Sequence, residues 1–153
     1  FNEKDVRDMG RTATGVRGVR LAKGDIVVGL LVMKRQDNIL VVTENGYGKR
    51  SDINDYRITK RGGKGVITVK TSDKVGKMLA MMEVVDGDEL VIITTQGMVI
   101  RQSVKEIRVM GRNTQGVRVI RLNEGDKIAD IAKVVPEDVV EVETNGSDNS
   151  LDV

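Results

Sequence analysis

Gly10-Arg11-Thr12-Ala13-Thr14-Gly15, Lys60-Arg61-Gly62-Gly63-Lys64-Gly65 and Gly111-Arg112-Asn113-Thr114-Gln115-Gly116 align on their last glycines at offsets of 50 and 51 residues. Each continues into a Val and then a β-type run with a cation at its fifth place, which is Arg20, Lys70 or Arg121. A period of this length marks a repeat architecture whose units are too small to bury their own apolar face and must pack on one another. A basic glycine loop presented at regular intervals suits a partner that also repeats its charge, and nucleic acid is the commonest such polymer.

Working outward from the loops, strand signals dominate. Short runs rich in Val and Ile, bounded by Gly, Asn or Asp, predict strands at 26–33, 39–43, 66–70, 78–84, 90–95, 98–102, 117–122 and 127–134, and no helix-length window shows a 3.6-residue period. Asn45-Gly46 sits between two apolar runs and predicts a type I′ hairpin, and Gln96-Gly97 stands at the same point of the next repeat. The 51-residue offset extends through these hairpins, relating Arg50 to Arg101, Ile53 to Val104 and Arg57 to Arg108. About four strands per unit describe an all-β fold of antiparallel, propeller-like blades. Residues 1–135 are expected to form a partial ring. Within it, 1–21 end one repeat, 22–71 and 72–122 are complete repeats, and 123–135 supply a closing strand.

Composition narrows the chemistry. The chain has neither Cys nor His, so disulfides, thiol nucleophiles, imidazole bases and Cys/His zinc sites are excluded. No apolar stretch approaches the roughly 20 residues of a membrane span. The absent initiator Met and the start part-way through a repeat lead us to expect a fragment. Net charge is only +2, yet 136–153 hold six acids and no base, which leaves 25 bases against 17 acids in 1–135. A cationic body thus precedes an acidic tail, expected to be disordered beyond about Val142. If that tail folds back on the body, it competes with phosphate.

Glycine lets backbone amides approach an anion closely, and Arg or Lys beside it adds charge-assisted hydrogen bonds to phosphate oxygens. Arg61 and Lys64 bracket Gly62-Gly63, with Lys60 and Gly65 completing the strongest copy. The outer copies keep Arg11 and Arg112 and replace the lysine with Thr14 or Gln115. Arg17, Arg20, Lys70, Arg118 and Arg121 extend the positive stripe along the following runs. A P-loop reading of Gly62-Gly63-Lys64-Gly65 fails, because Gly65 and a strand follow the lysine where that motif needs Ser or Thr and a helix. One Phe and two Tyr offer few platforms for stacking bases, so duplex held through phosphates fits better than single strands. Tyr47 and Tyr56 read as packing or rim residues, and the seven Met as core filling.

Glu44-Asn45-Gly46-Tyr47-Gly48-Lys49-Arg50, the loop 60–65 and the segment 106–118 closely resemble the C-terminal DNA-wrapping domain of bacterial DNA gyrase A, over about residues 5–135. The resemblance implies a β-pinwheel whose four-stranded blades exchange strands, this chain being about its last half. It implies sequence-independent wrapping of double-stranded DNA on a basic rim, in support of ATP-dependent negative supercoiling. The family's box Gln-Arg-Arg-Gly-Gly-Lys-Gly is matched by 59–65, with Thr59 and Lys60 departing from its Gln and first Arg. Lys49, Arg50 and Arg101 of the hairpins join the loop residues as candidate DNA contacts. No catalytic residue and no metal site is expected, and neither tyrosine inherits the family's catalytic role.

The implied partners are DNA, the N-terminal part of gyrase A and the gyrase B protein, without a membrane, in the bacterial cytoplasm at the nucleoid. No cofactor is expected in this chain, since ATP and Mg belong elsewhere in the holoenzyme. Open blade edges suggest self-association. Two alternatives stand beside this reading: the corresponding domain of topoisomerase IV, and a protein-interaction propeller that does not bind DNA.

Overall fold

The computed structural model describes residues 1–34 and 37–134. The acidic segment 136–153 and residue 135 of the anticipated closing strand lie outside the described residues. No helix among the described residues is long and apolar enough to cross a membrane.

The repeat is visible first in three single-turn 3-10 helices, Glu3–Asp5, Ile53–Asp55 and Val104–Glu106. A short polar side chain starts each: Asn2, Asp52 and Ser103 accept the amide two residues ahead, from Lys4, Asn54 and Lys105. Such caps satisfy donors that a helix start leaves orphaned.

Among the described residues seven strands form two antiparallel sheets: β1 (Asn38–Thr43), β2 (Tyr47–Asp52), β3 (Met78–Val84), β4 (Glu89–Thr94), β5 (Val99–Ser103), β6 (Val117–Arg118) and β7 (Ile128–Val134). The first sheet has the order β3-β1-β2-β6 and the second β5-β4-β7. The first is a hairpin flanked on both sides by strands from further along the chain and the second a hairpin flanked on one side, so the blades exchange strands. β3 pairs with β1 and β7 with β4 in the same relative register, and both pairings carry an irregularity at the hairpin strand's end, at Val42/Thr43 and Ile93/Thr94. The sheets are open rather than closed into a ring.

The hairpins close differently from the type I′ expectation. Residues 44–46 form a three-residue loop in which the Gly46 amide donates to the Thr43 carbonyl at 3.1 Å and Gly46 takes φ +81°. The second hairpin repeats this, with Gly97 donating to Thr94 at 3.0 Å and φ +84°. A turn followed by a left-handed glycine is the usual three-residue solution.

The core lies between the sheets, where Leu40, Val42, Leu90, Ile92, Val104, Ile107, Ile128 and Ile131 cluster. Each fully buried Leu or Ile contributes on the order of 1.5–3 kcal/mol. Strand β1 is buried from Ile39 to Thr43 without alternation, because both faces of its sheet are covered. Its equivalent β4 alternates, burying Leu90 and Ile92 and exposing Ile93.

Two predicted strands, 26–33 and 66–70, form no ladder, and 117–122 is reduced to Val117–Arg118. The cause is register across repeats. The equivalents of 26–33 are β3 and β7, which pair with the first strand of a preceding hairpin, and the equivalent of 66–70 is β6, which pairs with the second. Both segments would pair with a hairpin one repeat earlier than β1–β2, and no such hairpin occurs among the described residues. Their apolar side chains are consequently exposed, Leu30 by 89% and Ile26 by 77%.

Gly116 and Gly97 separate two costs of replacing a left-handed glycine. A Cβ on Gly116 (φ +83°) would stand 2.6 Å from the Gly48 carbonyl oxygen, whereas one on Gly97 meets nothing within 4 Å. Gly97→Ala is expected to cost about 1 kcal/mol and Gly116→Ala about 3 kcal/mol or more. Urea unfolding midpoints of the two variants check this ordering.

Candidate nucleic-acid interface

The basic loops are docked in series. The backbone amide of Gly62 donates to the carbonyl of Gly18 at 2.7 Å, and that of Arg20 to Gly63 at 2.8 Å, seating loop 60–65 against the segment that follows loop 10–15. The Lys70 amide donates to Thr114 at 3.0 Å, seating loop 111–116 against the segment that follows loop 60–65. Left-handed glycines end all three loops, with φ +90° at Gly15, +80° at Gly65 and +83° at Gly116.

Arg11, Arg17, Arg20, Lys60, Lys64, Lys70, Gln115, Arg118 and Arg121 are exposed, as are Gly63 and Gly65. Lys60, Arg61, Lys64 and Arg57 line an open cleft of about 350 Å³ around the glycines of the second loop. Arg118 donates to the Tyr47 hydroxyl at 3.3 Å, and Arg118 and Lys74 each lie 5.8 Å from the centre of that ring. The Arg118 hydrogen bond, helped by the charges of Lys74 and Arg118, lowers the Tyr47 pKa. Tyr47 is thus a rim residue that orients cations. Its cleft, about 350 Å³, also takes in Arg121.

Arg61 and Arg112 are half-buried with their guanidinium groups turned onto main-chain carbonyls. Arg61 donates through Nε to Asp5 at 3.1 Å and through Nη1 to Arg17 at 2.7 Å. Arg112 does the same one repeat on, from Nε to Asp55 at 3.2 Å and from Nη1 to Ile67.

Lys49 and Arg50 are corrected as DNA contacts, because both are buried. The Lys49 ammonium donates to the carbonyls of Gly111, at 2.8 Å, and of Arg112, and to Thr114 Oγ1 at 3.1 Å, bracing loop 111–116 from beneath. Burial, reinforced by the Arg112 charge and opposed by Asp55, pulls its pKa down to about 8. Arg50 donates through Nε to Ile107 at 2.6 Å and pairs with Asp86. Its equivalent Arg101 stays exposed and bonds Glu89. Context makes the difference: the segment around Ile107 to Met110 covers Arg50, while no later repeat covers Arg101 among the described residues. The sequence held a signal for this, since Lys49 aligns with Ile100, an apolar strand position.

Arg7, Arg57 and Arg108 were missed as candidates. All three are exposed, and each stands three residues before the start of its loop. That fixed spacing was readable in the repeat.

A family model described as DNA gyrase C-terminal domain, beta-propeller, matches residues 1–33, 37–84 and 88–134. The DNA gyrase A protein of Ureaplasma parvum is 48% identical over 86% of this chain, and that of Staphylococcus aureus 45% identical over 98%. The chain spans only 16% and 17% of those two proteins. Among solved structures, a DNA gyrase A C-terminal domain superposes with TM-score 0.80 at 30% identity, covering 88% of this chain and 46% of its own. The C-terminal domain of a DNA topoisomerase IV shares the fold, with TM-score 0.78 at 24% identity over 88% of this chain and 42% of its own.

Lys49 leaves a pH signature. Its value falls from 10.5 to about 8 on folding, so below pH 8 both states are protonated and the cost of the buried charge is fully present. Between about 8 and about 10.5 the unfolded chain binds more protons, so this group raises stability as pH rises. The stability advantage of the wild type over Lys49→Met is therefore expected to widen across that window. Urea midpoints at about pH 7.5 and about pH 9.5 test it, and a constant difference would contradict the assignment.

Proposed function

This chain belongs to the DNA gyrase C-terminal β-propeller family, and from that premise we propose that it binds double-stranded DNA without sequence preference and bends it along the docked series of basic loops. The observation that carries the proposal is the recurrence of exposed cations at two positions in successive repeats: Arg20, Lys70 and Arg121 after the loops, and Arg7, Arg57 and Arg108 before them. A duplex presents phosphates at regular intervals, so a periodic cationic edge meets a periodic anionic one. Phosphate contacts position the duplex and carry no sequence information by themselves.

Bending works through the same arrangement. Smoothly bending 20–30 base pairs by 40–90° costs on the order of 1–6 kcal/mol, so several cation–phosphate contacts must act together to offset it. Contacts in one loop leave the duplex straight, while contacts in successive, mutually fixed loops make it follow their arc. We place this activity in gyrase A, where it supports ATP-dependent negative supercoiling together with the N-terminal part of that polypeptide and with the gyrase B protein. The chain itself takes no cofactor in this reading, and catalysis resides elsewhere in the enzyme, in the bacterial cytoplasm.

If about five phosphates are neutralised, log affinity falls against log salt with a slope near −4.5. Replacing Arg17 and Lys64 together by Ala is expected to flatten the slope by about 1.8 and to weaken all duplex sequences about equally. Fluorescence anisotropy of labelled duplexes over a salt series reads both. A wild-type slope near zero would refute duplex binding through phosphates.

A further inference from the structure

Among the three loop copies only two positions are identical, the arginine at the second place and the glycine at the last. The lysine that makes the middle copy most basic gives way to Thr14 and Gln115. Selection for charge alone would have no reason to hold arginine at the second place while releasing lysine at the fifth. The contacts supply one. Arg61 bridges the carbonyl of Asp5, at the end of the preceding 3-10 helix, and the carbonyl of Arg17, just past the preceding loop. Arg112 bridges the equivalent carbonyls, those of Asp55 and Ile67. The same fork thus spans the same two acceptors in two independent copies.

We propose that Arg61 and Arg112 are positioning residues that fix the distance and angle between successive basic loops, and through them the curvature imposed on bound DNA. This deepens the duplex-bending reading and rests on it. Guanidinium is suited to the task because its donors diverge in a rigid plane, so Nε and Nη1 hold two carbonyls in fixed relation. An ammonium keeps the charge and loses that relation. Backbone bonds from Arg20 to Gly63 and from Lys70 to Thr114 lie alongside each bridge and report whether docking is intact. Loop 111–116 is held a second time by Lys49, and no ammonium braces loop 60–65 in the same way among the described residues. Arg61 therefore carries the larger share of its loop's placement.

The test compares Arg61→Lys, Arg112→Lys and their double variant with Lys64→Ala, all in the full 153-residue chain. Three readouts are taken: amide hydrogen exchange without DNA, affinity and salt slope on linear duplex, and the topoisomer shift after ligating nicked circular plasmid under saturating protein. In the Arg→Lys variants, the Arg20 or Lys70 amide is expected to exchange about tenfold faster, with the larger change at Arg20, while Leu90 and Ile92 keep wild-type protection. Their duplex affinity stays within about twofold and their salt slope is unchanged, because charge is retained, yet the topoisomer shift falls by about half or more. Lys64→Ala separates charge from docking: the Arg20 and Lys70 amides keep wild-type protection while the salt slope flattens by about 0.9.

Wild-type protection at Arg20 and Lys70 in the double variant would overturn the proposal. So would faster exchange with an unchanged topoisomer shift. If the wild type itself produces no shift, the bending reading fails, and the role in curvature falls with it. The exchange data would then show separately whether the loops are docked by these arginines.

Discussion

Hairpin β1–β2 by itself has two unpaired edges and an uncovered face, and the next repeat supplies partners for both edges and the cover. An unpaired row of backbone donors and acceptors is costly to bury and prone to wrong pairing in solvent. Strand β2 escapes this by pairing with β6 and by exchanging backbone bonds with the segment before the loop, Arg50 donating to Arg108 and Met110 donating to Arg50. Strand β1 is closed on its other side by β3. The basic loop lies between these two contributions from the following repeat. Its position is therefore a by-product of satisfying the hairpin, and the spacing of the loops follows from the spacing of the blades.

Lys49 shows how strictly that coupling is enforced. A buried ammonium is unfavourable unless its donors are satisfied, and here all three acceptors belong to the loop of the next repeat. If the loop moved away, the charge would be left without partners in the interior. The arrangement makes loop shape and hairpin folding conditional on each other. Gly116 adds a steric version of the same condition, since its backbone packs directly on Gly48. Such contacts across repeats are the nearest-neighbour terms from which linear repeat proteins derive most of their stability.

The architecture was legible in the sequence because period, turn residues and β-type runs agreed, from the 51-residue offset of the hairpins to the shared left-handed glycines. What composition and spacing do not convey is which neighbour covers a strand. Residues 26–33 read as a strand by every local criterion, yet a ladder needs a partner, and none precedes them among the described residues. The same limit applies to side chains. Arg50 and Arg101 are equivalent by repeat, and only the packing of the following segment decides that one is buried and the other open. Lys49 read as a surface cation because lysine usually is one, although its alignment with Ile100 marked the position as interior. The exposed cations after the loops, Arg20, Lys70 and Arg121, were found because their residue type and their position in the repeat pointed the same way.

The half-buried arginines reconcile two demands that at first conflict. A guanidinium bound to carbonyls looks withdrawn from phosphate, yet it has five donors, and the two nitrogens committed here leave Nη2 free of any bond to the carbonyls it bridges. Its charge is not cancelled either, because the partners are neutral carbonyls rather than carboxylates. Holding the group in one orientation removes rotamer freedom before a ligand arrives, which lowers the entropic cost of binding an anion. The bridge therefore organises the loop and leaves its field in place. A lysine at this position would add the same charge with neither the rigidity nor the link to the preceding repeat. This accounts for arginine at the second place of the two loops that bridge to a preceding repeat, while the neighbouring positions vary.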